Sequence, residues 1–173
     1  DMHRMMSSEQ RALFPANPVF MDLDVTPMAR PAIVETAGGT VRGVYLSAGF
    51  IDLANNVAHA RAIDTVEPGY FARYLKSLAG ESGELELTRL PDFENPAYWT
   101  TELRNEQLSQ FNQIVGMVLA MNLAHHYLDH YEEHASQLLD PSGKAVPIAS
   151  LVSRGAWLKA MRKGARNSLE TGL

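Results

Sequence analysis

Residues 118–134 read VLAMNLAHHYLDHYEEH. Four histidines, one aspartate and two glutamates crowd positions 125–134, directly behind an apolar run with helical spacing. From Thr101 to Leu139 there is no proline, and Gly116 is the only glycine. The run therefore predicts a long central helix, or two nearly collinear ones, stopped by Asp140-Pro141-Ser142-Gly143. A helix advances ~100° per residue, so spacing converts to faces. His125, Asp129 and Glu132 share one face. His126, His130 and Glu133 share the next, with Asp129 on the border.

His126 and His130 have the four-residue spacing that lets two imidazoles reach one ion from a single helix. His130-Tyr131-Glu132-Glu133-His134 also matches H-x-x-E-H, in which the glutamate would be a general base. The candidate metal ligands are His125, His126, Asp129, His130 and Glu133. A two-histidine site needs a third ligand, and His59, on another expected helix, is one candidate. Against this stands a plainer reading: His, Asp and Glu at a helix end form solvated terminal turns, and acid–imidazole pairs at i,i+4 support a helix without metal. A lone His59 among small residues more often packs. Tyr127 and Tyr131 more often pack than stabilise an oxyanion, and Asn55 and Asn56 cap or bridge.

Working outward, Met2–Leu13 reads as a short helix. Val19–Val25 alternates apolar and polar, as a half-buried strand does. Ala32–Thr36 and Thr40–Ser47 flank Gly38-Gly39, a hairpin signal. Gly49 breaks the strand and Phe50–Ile63 has helical spacing. Pro68-Gly69 restarts the chain, Tyr70–Ala79 is a second helix, and Glu84–Leu90 alternates again as a further strand. Asp92–Pro96 is a loop, and Ile148–Glu170 is a last helix, basic along Lys159, Arg162, Lys163 and Arg166. Strands crowd the first half and helices the second, which predicts an α+β fold with a small N-terminal sheet and a long central helix.

A chain of 173 residues suits one domain, 1–173, with a real core. A net charge of −5 disfavours non-specific grip on nucleic acid. The four basic residues of the last helix suit a solvated face or a protein contact better than an RNA site. No apolar run is long enough to span a membrane. The absence of cysteine removes disulfides, thiolate nucleophiles and Cys-ligated zinc. Nucleotide-cradling loops, a G-x-S-x-G elbow and paired E-x-x-H motifs are missing as well. Asp1 in place of a methionine fits a removed export signal or a trimmed start, so an exported or periplasmic location stays open.

Two stretches carry a resemblance. Val44–Asn56, VYLSAGFIDLANN, is similar to the strand-Gly-helix segment before the catalytic helix of HtpX-like zinc metallopeptidases, which are gluzincins. That helix has the form V-L-A-H-E-x-x-H-x-x-x-x-H. Val118-Leu119-Ala120-Met121-Asn122-Leu123-Ala124-His125 through His130 follows the same frame. His125 falls on the second zinc ligand and His130 on the trailing histidine. Met121 stands at the first ligand and Asn122 at the general base. The family's later E-x-x-A-D-x-x-G is matched by Trp157-Leu158-Lys159-Ala160-Met161-Arg162-Lys163-Gly164, so Trp157 and Met161 replace both acids. The resemblance covers roughly residues 40–60 and 110–173 and implies a zincin-like single domain.

It also implies that the usual chemistry is gone. A thioether is a poor partner for Zn²⁺ and an indole has no lone pair to offer it. Without a carboxylate at 122, nothing there takes a proton from attacking water. The expectation is a metallopeptidase-like protein with a degenerate zinc site, non-catalytic and binding a peptide or protein partner. Two alternatives stay open: a metal-dependent hydrolase with a rearranged site at His126, Asp129, His130 and Glu133, and a structural domain with a solvated His-rich helix end. The cofactor is accordingly none, or zinc.

Overall fold

The structure is a computed structural model that describes residues 19–79, 85, 87–130 and 153–170. It is α+β. Strands β1 (Val19–Asp22), β2 (Ala29–Thr36) and β3 (Gly39–Ser47) form a sheet in the order β1-β3-β2. Helices follow as α1 (Ala48–Asp64), α2 (Tyr70–Leu78), α3 (Thr101–Tyr127) and α4 (Arg154–Glu170). The expected helix at Met2–Leu13 lies outside the described residues.

The described residues divide into two compact units. One holds β1 through Leu23, Met28–Ser47, the second half of α3 from Gly116, and α4. The other holds Asp24–Pro27 and Ala48–Val115.

In the first unit β3 is the central strand. β2 pairs with it antiparallel, from Ala29↔Leu46 to Thr36↔Gly39, through a tight turn whose Gly39 has φ +109°. Glycine takes that left-handed geometry without steric cost. β1 pairs parallel, from Val19↔Val44 to Asp22↔Ser47. β2 starts at Ala29, earlier than the sequence suggests, and has Pro31 inside it. A proline lacking its N–H is tolerated on an edge strand. Among the described residues of this unit, Pro31, Ile33, Val44, Leu46, Ala120, Leu123, Ala124 and Ala160 are buried.

In the second unit the N-terminus of α1 is pressed onto residues 25 and 26. A Cβ on Gly49 would lie 2.0 Å from the Val25 carbonyl oxygen and 2.9 Å from the Thr26 carbonyl carbon. Gly49 N–H also donates to the Asp24 carbonyl at 2.9 Å. The glycine is there for close backbone approach, not only to end a strand. α2 is capped by Asp64, whose carboxylate accepts from Phe71 N–H at 2.9 Å. It buries Tyr70, Tyr74 and Leu78, one per turn. These join Ala60, Ile63, Leu90 and Tyr98 in the core. Tyr70 packs edge-on to Tyr98, with ring centroids 5.2 Å apart, and donates to the Pro91 carbonyl. Asn55 does bridge: its side chain accepts from Gln107 of α3 at 2.7 Å.

Two expected elements differ. Glu84–Leu90 is not a ladder strand where it is described: Leu85 makes one isolated bridge to Ala79, and residues 87–90 are irregular. Alternation marks a run that suits a half-buried surface, but a strand also needs a neighbour to pair with. The first stretch of the expected long helix ends at Tyr127, and positions 131–139 lie outside the described residues. α4 begins at Arg154, where the Ser153 hydroxyl caps Ala156 N–H at 3.2 Å. Positions 148–152 fall outside the described residues.

Candidate functional site

The end of α3 and its packing against α4 bring together most of the residues singled out above. Small side chains set the approach. A Cβ on Gly164 would lie 2.6 Å from the Met121 Cα and N and 2.9 Å from the Ala120 carbonyl carbon, so the two backbones nearly touch there. Ala120, Ala124 and Ala160 are buried in the same unit. Nearer the C-terminus of α3, His125 meets Trp157 at 6.4 Å between ring centroids and 62° between planes. Further along α4, Asn167 donates to the Tyr127 hydroxyl at 2.6 Å. Tyr127 is thus a packed, hydrogen-bonded residue, its phenol pushed up to about 12 by burial.

Asn122 is buried and its amide donates to the Val118 carbonyl of its own helix at 2.8 Å. Met121 is half-buried and Trp157 is 37% exposed.

α3 stops in a Schellman motif. His130 N–H bonds back to the His125 carbonyl at 3.1 Å, and Asp129 N–H to the His126 carbonyl at 3.2 Å. Asp129 takes the left-handed position with φ +52°. Glycine usually fills that place, and aspartate is one of the few residues that visit it. The motif normally brings the residue after the left-handed one against the last helical turn. Here that contact is His130 on His125, with ring centroids 5.1 Å apart and Nδ1 to Nδ1 at 3.1 Å. The helical faces expected for Asp129 and His130 are therefore replaced. His130 joins His125. Asp129 turns toward Arg42 at 3.8 Å, a long, partly exposed pair of little energetic weight. Asp129→Gly is expected to raise stability by about 0.5 kcal/mol, read from the urea midpoint, because relief of the left-handed strain exceeds the lost exposed pair.

His126 points to the sheet. Its Nε2 lies 2.6 Å from the Gly43 carbonyl in β3, so the ring nitrogen must donate. Any metal on His126 would have to use Nδ1 or displace that bond. Burial pushes His126 down to about 4, against the raising effect of the Gly43 bond and helped by Arg42. Burial, then the neighbouring His130 and His126, pushes His125 down to about 4 as well. His130 is lowered by burial and Lys159, with Asp129 opposing. All three imidazoles are thus neutral at pH 7.

Among the described residues, no three imidazole, carboxylate or thiol groups converge as a metal site. Glu132, Glu133, His134 and Tyr131 lie outside the described residues. His59 belongs to the other compact unit, where its Nε2 donates to the Tyr98 carbonyl at 2.7 Å and its ring packs edge-on to Trp99. It is a packing histidine. The sequence reading missed the Schellman stop and the Gly43 acceptor. The one available sign of the helix pairing was the recurrence of small residues at 120, 124, 160 and 164.

These features define an α+β protein with a histidine-capped helix pair packed through small residues. No protein-family model matches the chain, and comparison with curated proteins and with solved structures finds no match. No helix among the described residues is long and apolar enough to cross a membrane.

Proposed function

We propose that this chain is a metallopeptidase-like domain of the HtpX type that has lost zinc hydrolysis and acts by binding a polypeptide partner. The observation that carries the reading is the pairing of α3 with α4. The positions resembling the first ligand, the second ligand and the distal acid are Met121, His125 and Trp157. Trp157 packs on His125, and the α4 glycine of the same frame packs on Met121. Such a pairing is what a zinc helix and its acid-bearing partner require. The side chains now there offer one imidazole, a thioether and an indole, and Asn122 spends its amide on its own helix. This set neither grips zinc nor deprotonates water.

Binding of an extended segment is supported by β1. Among the described residues it pairs only with β3; Val19 and Met21 along it are 37% and 63% exposed, and Leu23 just past its end is 90% exposed. An edge strand with apolar side chains suits a peptide laid alongside.

The test is to restore the chemistry. Met121→His with Asn122→Glu and Trp157→Glu is expected to take up one zinc per chain, measured by elemental analysis after dialysis. The parent protein is expected to hold no stoichiometric zinc and to cleave no peptide when zinc is supplied. A folded triple variant that stays zinc-free, or zinc-dependent cleavage by the parent, overturns the reading.

A further inference from the structure

The helix pair carries Met121, Trp157 and Met161. These are two soft thioethers and a polarizable π-face. Trp157, Met161 and Gly164 lie within roughly 60° of one another around α4. Since Gly164 abuts the α3 backbone at Met121 and Trp157 abuts His125, that face is turned to α3. On α3, Met121 and His125 are one turn apart on one face. The Schellman stop then folds His130 back onto His125.

We propose that Met121, Met161, His125 and His130 form a binding site for monovalent copper, with the Trp157 ring covering it. Thioether and imidazole together select Cu(I), a soft ion, over Zn²⁺. The two Nδ1 atoms are 3.1 Å apart. Two nitrogens bound at ~2.0–2.1 Å to one tetrahedral ion stand about 3.3 Å apart, so one ion can take the place of the shared proton with little movement, that ring passing to its Nε2–H tautomer and remaining neutral. His125 is only 4% exposed, while Met121, His130 and Met161 are half-buried, so the ion would sit at the margin of the packed interior. An exposed π-face over the ion adds a cation–π attraction.

The inference rests on the donors and not on the ancestry. Zinc uptake by the restored triple variant tests the frame, while copper uptake by the parent tests these side chains, so either can fail alone.

The experiment is a competition titration of the full chain with Cu(I) held by a chromophoric chelator, without oxygen, alongside silver(I) as a redox-inert probe. The run Asp1-Met2-His3-Arg4-Met5-Met6 is a second source of soft donors. The titration is therefore run in a background carrying His3→Ala and leucine for Met2, Met5 and Met6. One Cu(I) per chain is expected to leave the chelator, with quenching of Trp157 emission that is absent in Trp157→Phe. Met121→Leu, which keeps shape and fold, is expected to weaken binding roughly 10- to 100-fold, as is His130→Ala. Failure to withdraw Cu(I), equal affinity in Met121→Leu, or tighter binding of zinc than of Cu(I) overturns the proposal. Equal affinity in Met121→Leu would identify the methionines as ordinary packing.

Discussion

Gly164→Ala is expected to destabilise the chain by about 3 kcal/mol, at the upper end of what one added methyl costs in a packed interior. The new Cβ would fall 2.6 Å from the Met121 Cα and N and 2.9 Å from the Ala120 carbonyl carbon. All three are backbone atoms of a helix, so no side chain can rotate away and the helices must part. Separation also loosens the contacts of His125 with Trp157 and of Asn167 with Tyr127. An internal control sits in the same helix. A Cβ on Gly155 meets nothing closer than the Ser153 hydroxyl at 3.9 Å. Gly155→Ala is expected to stabilise by roughly 0.5–1 kcal/mol through helix propensity alone. Urea denaturation of the two variants should move the midpoint in opposite directions. Equal small shifts would mean that the two helices do not touch at Gly164.

Acid is expected to unfold the protein through its buried histidines. His125 and His126 are held near 4 by burial, against the usual 6.5. Between those values the unfolded chain binds protons that the folded chain refuses, so stability is fully present above about 6.5 and falls as pH drops toward 4. At pH 5 each histidine removes on the order of 2 kcal/mol relative to neutral pH. His130 acts in the same direction. The check is the urea midpoint at pH 7.5 and pH 5.0 in the presence of EDTA, for the parent and for His126→Gln. The glutamine amide can still reach the Gly43 carbonyl but does not titrate. The parent midpoint should fall steeply and the variant's less so. Identical midpoints at the two pH values in the parent would show these rings to be solvated.

Much of the architecture was legible in consecutive residues. The alternation at 19–25, the Gly38-Gly39 hairpin and the Pro68-Gly69 restart yield β1, the β2–β3 hairpin and the start of α2. The start of α3 is local too: the Thr100 hydroxyl accepts from Leu103 N–H at 3.3 Å. Its end was not legible. No glycine or proline stands at 128–130, and Asp129 takes the left-handed turn at some cost while the neighbouring side chains find long-range partners. The histidines were visible as a cluster, but their grouping was drawn on helical faces that cease at Tyr127.

Sequence by itself determined the α+β class, the hairpin and the existence of the long helix, because period and Gly/Pro punctuation are properties of neighbouring residues. Only the tertiary structure decided what the histidines do. His126 donates to a carbonyl 83 residues away, and His130 turns to His125 because the helix stops. Gly164 has its meaning only from Met121 on the opposite helix. Those roles depend on which backbone lies within three ångströms, and local spacing carries no information about that.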